Sequence, residues 1–246
     1  MGDKFFDVSE HVYAHRGLWG GDIAENSLAA FRAAADAGIG VELDVRVTRD
    51  GALVVFHDET LARMCGDDMR LGELTLAELE QRRLPDGSVV PTLEAVLVKM
   101  RQQPVLIEIK VDEPGSSLAF FVADEVASLI ASVPCLATVM SFDEATVARL
   151  CRLITDRPVG LLIDTFAKLG AEGVVRKAET ARVMGCDYLG PHFTSLEAVS
   201  SVSGGLPLVT WTVRDSEALA LAKRFAAASI FEGFSPALAK SGGSPI

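Results

Sequence analysis

Eight short apolar runs, separated by turns and helix-period segments, constrain the fold of this chain more than any other feature. They occupy residues 12–15, 41–45, 105–109, 136–141, 159–163, 186–189, 206–213 and 229–232. Runs of this length read as strands buried on both faces, and strands that alternate with helices pair in parallel. Eight such units in 246 residues predict an α/β fold, a closed (β/α)8 TIM barrel, for which about 250 residues is usual. No low-complexity linker, charge block or fixed-period repeat divides the chain, so residues 1–246 read as one domain.

The connections are readable as well. Leu28, Phe31 and Ala35 share one face of a helix that begins near Asn26-Ser27 and stops at Gly38. Leu219, Ala222 and Phe225 mark a helix near the end, capped by Asp215 or Ser216. Asp50-Gly51 is a hairpin-turn signal between two apolar stretches. It opens a small insertion after the second strand. That insertion covers about residues 59–91 and carries a short helix at 76–82.

Composition narrows the partners. The net charge is −11, and an acidic surface repels nucleic acid and anionic head groups, so neither is expected as a general partner. Cys65, Cys135, Cys151 and Cys186 form no C-x-x-C pair and read as reduced thiols beside apolar stretches, not as a zinc site. Residues 1–10 carry acids and no apolar signal segment, and Phe6 stands where a myristoylation motif needs Ser or Thr. The most apolar stretch, 118–140, is broken by Asp124, Glu125 and Pro134; it predicts a packed helix followed by a strand, not a membrane span. A cytoplasmic protein acting on a small molecule is expected.

Polar residues end or interrupt several of the strand runs, and a barrel gathers such strand ends at one face, where barrel enzymes place their active sites. Glu42 and Asp44 are two apart on one strand and therefore point the same way. Glu108 ends another run. Two inward carboxylates repel and lose hydration unless a cation compensates. Three carboxylates suit Mg²⁺ or Ca²⁺; alternatively, they pair with Arg16, Arg46 or Lys110. His15 and His57 are candidates for a proton-transfer pair, because imidazole titrates near neutral pH. Arg16 and Lys110 offer cationic donors to phosphate oxygens. Asn26 reads equally as a helix N-cap and as a ligand or orienting group, and Trp211 as a core aromatic or a flat wall for an alcohol. His192 is a candidate for the site rim, and His11 reads as a surface residue.

Taken in order, these words resemble the glycerophosphodiester phosphodiesterase family. The matching words are His15-Arg16-Gly17, Glu25-Asn26-Ser27, Ala29-Ala30-Phe31, Glu42-Leu43-Asp44-Val45, Asp50-Gly51 and Val54-Val55-Phe56-His57-Asp58. Pro91-Thr92-Leu93-Glu94, Glu108-Ile109-Lys110, Ser141-Phe142-Asp143 and Trp211-Thr212-Val213 follow. The resemblance implies a barrel that hydrolyses glycerophosphodiesters to glycerol 3-phosphate and an alcohol. It implies a divalent metal on Glu42, Asp44 and Glu108, acid–base catalysis by His15 and His57, phosphate contacts from Arg16 and Lys110, and Trp211 beside the glycerol. It also implies attack by the substrate's own 2-hydroxyl through a cyclic phosphate.

The chain departs from the family's words in three places. Arg214 stands where Asn usually follows Trp-Thr-Val, Phe234-Ser235-Pro236 replaces a Thr-Asp-x-Pro word, and Met64-Cys65-Gly66 follows Arg63 where Thr-Thr-x-Gly is usual. These changes bear on substrate identity more than on reaction type. A lysophospholipid substrate would favour an apolar rim, for which Leu18, Trp19 and Phe234 are candidates. A non-catalytic barrel binding a phosphorylated ligand is disfavoured by the retained histidines and acids. A metal-dependent amidohydrolase is disfavoured by the missing His-x-His pair on the first strand.

Overall fold

The computed structural model describes residues 6–225 and 227–240, so part of the N-terminal segment read above, residues 1–5, lies outside the described residues. Nine strands form one sheet: β1 (Val12–His15), β2 (Gly40–Val47), β3 (Leu53–Val55), β4 (Val105–Ile109), β5 (Ala137–Ser141), β6 (Val159–Ile163), β7 (Tyr188–Pro191), β8 (Val209–Val213) and β9 (Ala228–Phe231). Eight of them run in parallel in the order β7-β6-β5-β4-β2-β1-β9-β8, and β3 adds to β2 antiparallel. The ring closes between β7 and β8, where Leu189 N–H donates to Pro207 O at 3.0 Å and Leu189 and Leu208 bridge in parallel. The structure is the expected eight-strand barrel with one extra strand.

Alternation along each strand divides the core. Val41, Leu43 and Val45 of β2 and Val105, Ile107 and Ile109 of β4 face outward into the large cluster shared with the helices. Tyr13, Leu106, Met140, Leu162, Tyr188, Val209 and Ile230 face inward as a separate apolar layer. Two glycines make that layer possible. A Cβ on Gly160 would lie 2.3 Å from the Tyr188 ring, and one on Gly40 would lie 2.7 Å from Tyr13.

Helix ends follow their capping chemistry. The first long helix, Leu28–Asp36, is capped by Ser27, whose side chain accepts from Ala30 N–H, and not by Asn26. Asp215 caps Ser216–Arg224 in the same way. The apolar stretch at 118–140 resolves into the helix Ser117–Ser132 followed by β5. Among the described residues, no helix is long and apolar enough to cross a membrane.

The insertion has its own small core of Val54, Phe56, Leu61, Leu71, Leu79, Leu84 and Val90. The helix expected at 76–82 is shorter than the spacing predicts: it covers Leu76–Leu79, started by a capping box between Thr75 and Glu78, and a further short helix, Ala62–Cys65, precedes it. The seventh strand is displaced from the apolar run at 186–189 to Tyr188–Pro191. There Gly190 is selected by close packing, since a Cβ would meet Leu162 Cδ2 at 2.6 Å. Cys135 and Cys186 are buried, Cys65 and Cys151 half-buried, and all four are thiols.

Candidate active site

Above the apolar layer, at the C-terminal strand ends, the inward positions turn polar. Glu42 and Asp44 occupy successive inward positions on β2, and Asp44 is directly in register with Glu108 on β4. All three are buried, and one carboxylate oxygen from each lies within 4.8 Å of the others. The parallel pairing of β1, β2 and β4 thus brings residues far apart in sequence into one cluster.

Two of the three cations expected to pair with these acids, Arg16 and Lys110, do so. Lys110 Nζ lies 2.7 Å from Glu108 and 3.6 Å from Asp44. Arg16 Nε lies 3.3 Å from Asp44, yet no hydrogen bond satisfies this buried N–H among the described residues. Arg16 backbone N–H donates to Glu42 Oε2 at 3.2 Å. Arg46 does not join them; it donates to His57 O and pairs with Asp112.

The electrostatics are uneven. Burial, then Asp44 and Glu108, push the Glu42 carboxyl well above the usual carboxylate range. Burial also works against the Asp44 anion, but Lys110 and Arg16 outweigh it and Asp44 is held low. Burial disfavours the Lys110 ammonium too, and Glu108 and Asp44 outweigh that. With all three ionised, the acids outnumber Lys110 and Arg16, and Arg16 is shared with Glu25.

Asn26 supplies a further oxygen. Its Nδ2 donates to Asp44 at 2.9 Å, while its Oδ1 is buried without a hydrogen-bond partner among the described residues. It adopts a left-handed backbone (φ 55°), as does Arg16 (φ 57°), and Asn26 N–H donates to Arg16 O. Such conformations in non-glycine residues are concentrated at functional sites. An all-oxygen donor set with a residual negative charge and an orphaned amide oxygen fits a hard divalent cation.

The two histidines flank the acids. His15 Nε2 stands 3.9 Å from Glu42, and its Nδ1 lies 2.5 Å from Glu232. His57 Nδ1 lies 2.7 Å from Asp58, and burial lowers its affinity for a proton. Trp211 donates from its indole N–H to Gly190 O and packs edge-on to Phe142 and His192, with centroids at 5.3 and 4.8 Å. His192 is otherwise held by Thr194. His11, expected at the surface, is half-buried between Phe6 and Tyr13.

Three supporting residues were not singled out as site residues from sequence. Glu25 bridges Arg16 at 3.0 Å and Arg63 at 2.6 Å. Arg63 continues to Asp58, so a chain of ion pairs runs from Arg16 to His57's partner. Glu232 ends the last strand run, and its position as the final polar residue of that run was the only signal available.

The model of the glycerophosphoryl diester phosphodiesterase family matches residues 15–233. The chain belongs to the glycerophosphodiester phosphodiesterase family. It is accordingly a hydrolase of phosphodiesters, and the buried triad Glu42, Asp44 and Glu108 is its candidate metal site. The chain is 30% identical over 203 residues to the "probable glycerophosphodiester phosphodiesterase 2" of Mycobacterium tuberculosis, covering 80% of this chain and 71% of that one. A glycerophosphodiester phosphodiesterase structure from Thermotoga maritima superposes with a TM-score of 0.72 at 28% identity, covering 89% of this chain and 93% of that one. An Oleispira antarctica phosphodiesterase, solved in complex with the product sn-glycerol-3-phosphate, shares the fold with a TM-score of 0.80 at 22% identity, over 94% of this chain and 96% of that one. A human lysophospholipase D is 33% identical over 119 residues, which are 43% of this chain and 37% of that one.

Proposed function

We propose that this enzyme hydrolyses glycerophosphodiesters to glycerol 3-phosphate and a free alcohol, using Mg²⁺ or Ca²⁺ held by Glu42, Asp44 and Glu108. The observation that carries this reading is the convergence of three buried acids, two histidines and two cationic side chains on one end of the barrel. The bound cation would neutralise charge on the phosphoryl oxygens.

The chain's own residues do the rest. The unsatisfied Arg16 Nε–H and the Lys110 ammonium donate to phosphate oxygens, with Glu25 and Glu108 fixing their positions. The substrate's 2-hydroxyl attacks phosphorus, and the bond from phosphorus to the alcohol oxygen breaks. His57, lowered by burial and so neutral near pH 7, takes the hydroxyl proton. His15 donates a proton to the leaving alcohol. In the second step water attacks the cyclic phosphate, the roles reverse, and the bond to the 2-oxygen breaks. Trp211, set edge-on to Phe142, walls the glycerol. Each positioned histidine contributes on the order of 10²–10⁴-fold.

A second reading, hydrolysis of a lysophospholipid on the same scaffold, is favoured by one observation. Trp19 is exposed, and its indole N–H donates to His15 O at 2.9 Å, which sets an apolar ring at the mouth of the site. Phe234 supplies no such rim, because it packs on Phe231 at 5.0 Å. Glycerophosphocholine and a lysophosphatidylcholine assayed in parallel, with and without cation, decide between the readings. Release of glycerol 3-phosphate that survives exhaustive chelation would overturn the metal assignment. A preference of tenfold or more for the lysophospholipid would replace the first substrate with the second.

A further inference from the structure

One of the departures from the family's words, Arg214, meets an acid close to another. Arg214 follows β8, and Glu232 directly follows β9, two residues before Phe234-Ser235-Pro236. Arg214 Nε donates to Glu232 Oε1 at 2.5 Å, and the other oxygen, Oε2, faces His15 Nδ1 at 2.5 Å. Both carboxylate oxygens are therefore engaged, one on each side. Glu232 is half-buried, and Arg214 is largely exposed.

We infer that Glu232 is a positioning residue that fixes the orientation and tautomer of His15, and that Arg214 holds Glu232 in place. This rests on the acid–base role proposed for His15. The warrant is geometric. An imidazole can rotate about its side-chain bonds and can carry its proton on either nitrogen. Which nitrogen is protonated is set by the hydrogen bond the other makes. A carboxylate on Nδ1 keeps the proton there, so the proton that His15 gives up in the first step and takes back in the second is the one on Nε2, which faces Glu42 and the reacting centre, 3.9 Å away. A buried acid plays the same part for the histidine of a serine hydrolase. Glu232 itself stays ionised: burial pushes its carboxyl up, but the hydrogen bonds from His15 and Arg214 hold it at about 2.

The alternative is that Glu232 simply ties β9 to β8 through Arg214. A structural tie would stabilise the strand pair without changing the state of His15. It would therefore lower stability in any background and leave the imidazole nitrogens unchanged.

The test combines rates with ¹⁵N spectra of histidine-labelled, cation-free protein. In Glu232→Ala, kcat should fall on the order of 10–100-fold, by analogy with the loss of carboxylate partners of metal-bound histidines, while KM for glycerophosphocholine changes less than threefold. The His15 resonances should move toward the Nε2–H tautomer. Glu232→Gln, whose amide oxygen still accepts from Nδ1–H, should recover the tautomer and part of kcat. Arg214→Ala should fall between parent and Glu232→Ala. In a His15→Ala background, Glu232→Ala should have no further effect on kcat.

Unchanged His15 nitrogen shifts in Glu232→Ala overturn the inference whatever the rates do, as does an equal loss of kcat in the His15→Ala background. If His15→Ala itself keeps parental turnover, the acid–base reading fails, and the spectra still decide whether Glu232 sets the tautomer. Should Glu232→Ala not fold, Glu232→Gln and Arg214→Ala decide by the same spectra. A parental His15 spectrum in Arg214→Ala would then overturn the part assigned to Arg214, and a His15 spectrum already in the Nε2–H form in the parent would overturn the whole.

Discussion

Glu42→Gln should make the cation-free protein more stable and its cation response weaker. Glu42 is buried, with Asp44 and Glu108 oxygens within 4.8 Å. At an effective dielectric of about 20, each like-charge pair at that distance repels by roughly 3–4 kcal/mol. The gross repulsion felt by an ionised Glu42 is then about 7 kcal/mol, and Arg16 offsets part of it, leaving roughly 2–3 kcal/mol. The pH dependence carries the sign. Because the folded carboxyl is raised above its unfolded value, the folded state binds more protons than the unfolded chain over that interval. Its contribution is therefore fully present below the unfolded value and is lost as pH rises toward the folded one, at about 1.4 kcal/mol per pH unit. Glutamine has no such loss.

Differential scanning calorimetry with a chelator across pH 4.5 to 8.5 reads this directly. The advantage of Glu42→Gln should grow with pH and reach about 4–12 °C in Tm, taking about 2–4 °C per kcal/mol for a chain of this size. A saturating cation at 100 times its Kd stabilises by about 2.7 kcal/mol, so the parent should gain about 5–11 °C on cation addition and the variant much less. A variant that is destabilised in chelator at pH 8, or that keeps the full cation-induced shift, would refute the reasoning.

His57→Ala should lower kcat on the order of 10²–10⁴-fold while thermal unfolding stays cooperative; a rate near the parent's would remove His57 from the proton-transfer step. Lys110→Met should lower kcat/KM by on the order of 10²-fold, about 2.7 kcal/mol of transition-state stabilisation, and should also destabilise the cation-free protein, because Glu108 and Asp44 lose their shared partner; steady-state kinetics and a chelator melt check both. Gly160→Ala places a methyl 2.3 Å from the Tyr188 ring and should cost about 1–3 kcal/mol or more in denaturant unfolding, with turnover per folded molecule unchanged.

The acids were legible because period-two alternation on a buried strand leaves Glu42 and Asp44 no outward choice: their neighbours Val41, Leu43 and Val45 take the helix-facing side. The hairpin at Asp50-Gly51 was legible for a similarly local reason, since Gly51 adopts φ 88° in the turn. Asn26 was half legible. The capping signal was real, but it belonged to Ser27, one residue on, and this left Asn26 for Asp44. Glu232 was not legible as a site residue. It lies 217 positions from His15 and meets it only because β1 and β9 pair when the barrel closes. The Glu25–Arg63 pair spans 38 positions, from the segment after β1 into the insertion, for a comparable reason. Neither contact has a local sequence signature.

The inward positions of β2 also explain which acid most needs a cation. Gly40, Glu42 and Asp44 climb the barrel in steps of about 6–7 Å. Gly40 lies at the apolar layer, in contact with Tyr13. Glu42 is the first acid above that floor, and among the described residues its one hydrogen bond is from the Arg16 backbone. Asp44 is one step nearer the mouth, where Arg16, Lys110 and Asn26 converge on it. Burial disfavours both anions, but only Asp44 has side-chain donors enough to overcome it. The position of each acid along one strand therefore divides their roles: Asp44 anchors the cationic side chains, and Glu42 is the acid whose ionisation those side chains do not support. A cation that draws on Glu42 relieves an ionisation that burial, Asp44 and Glu108 make unfavourable.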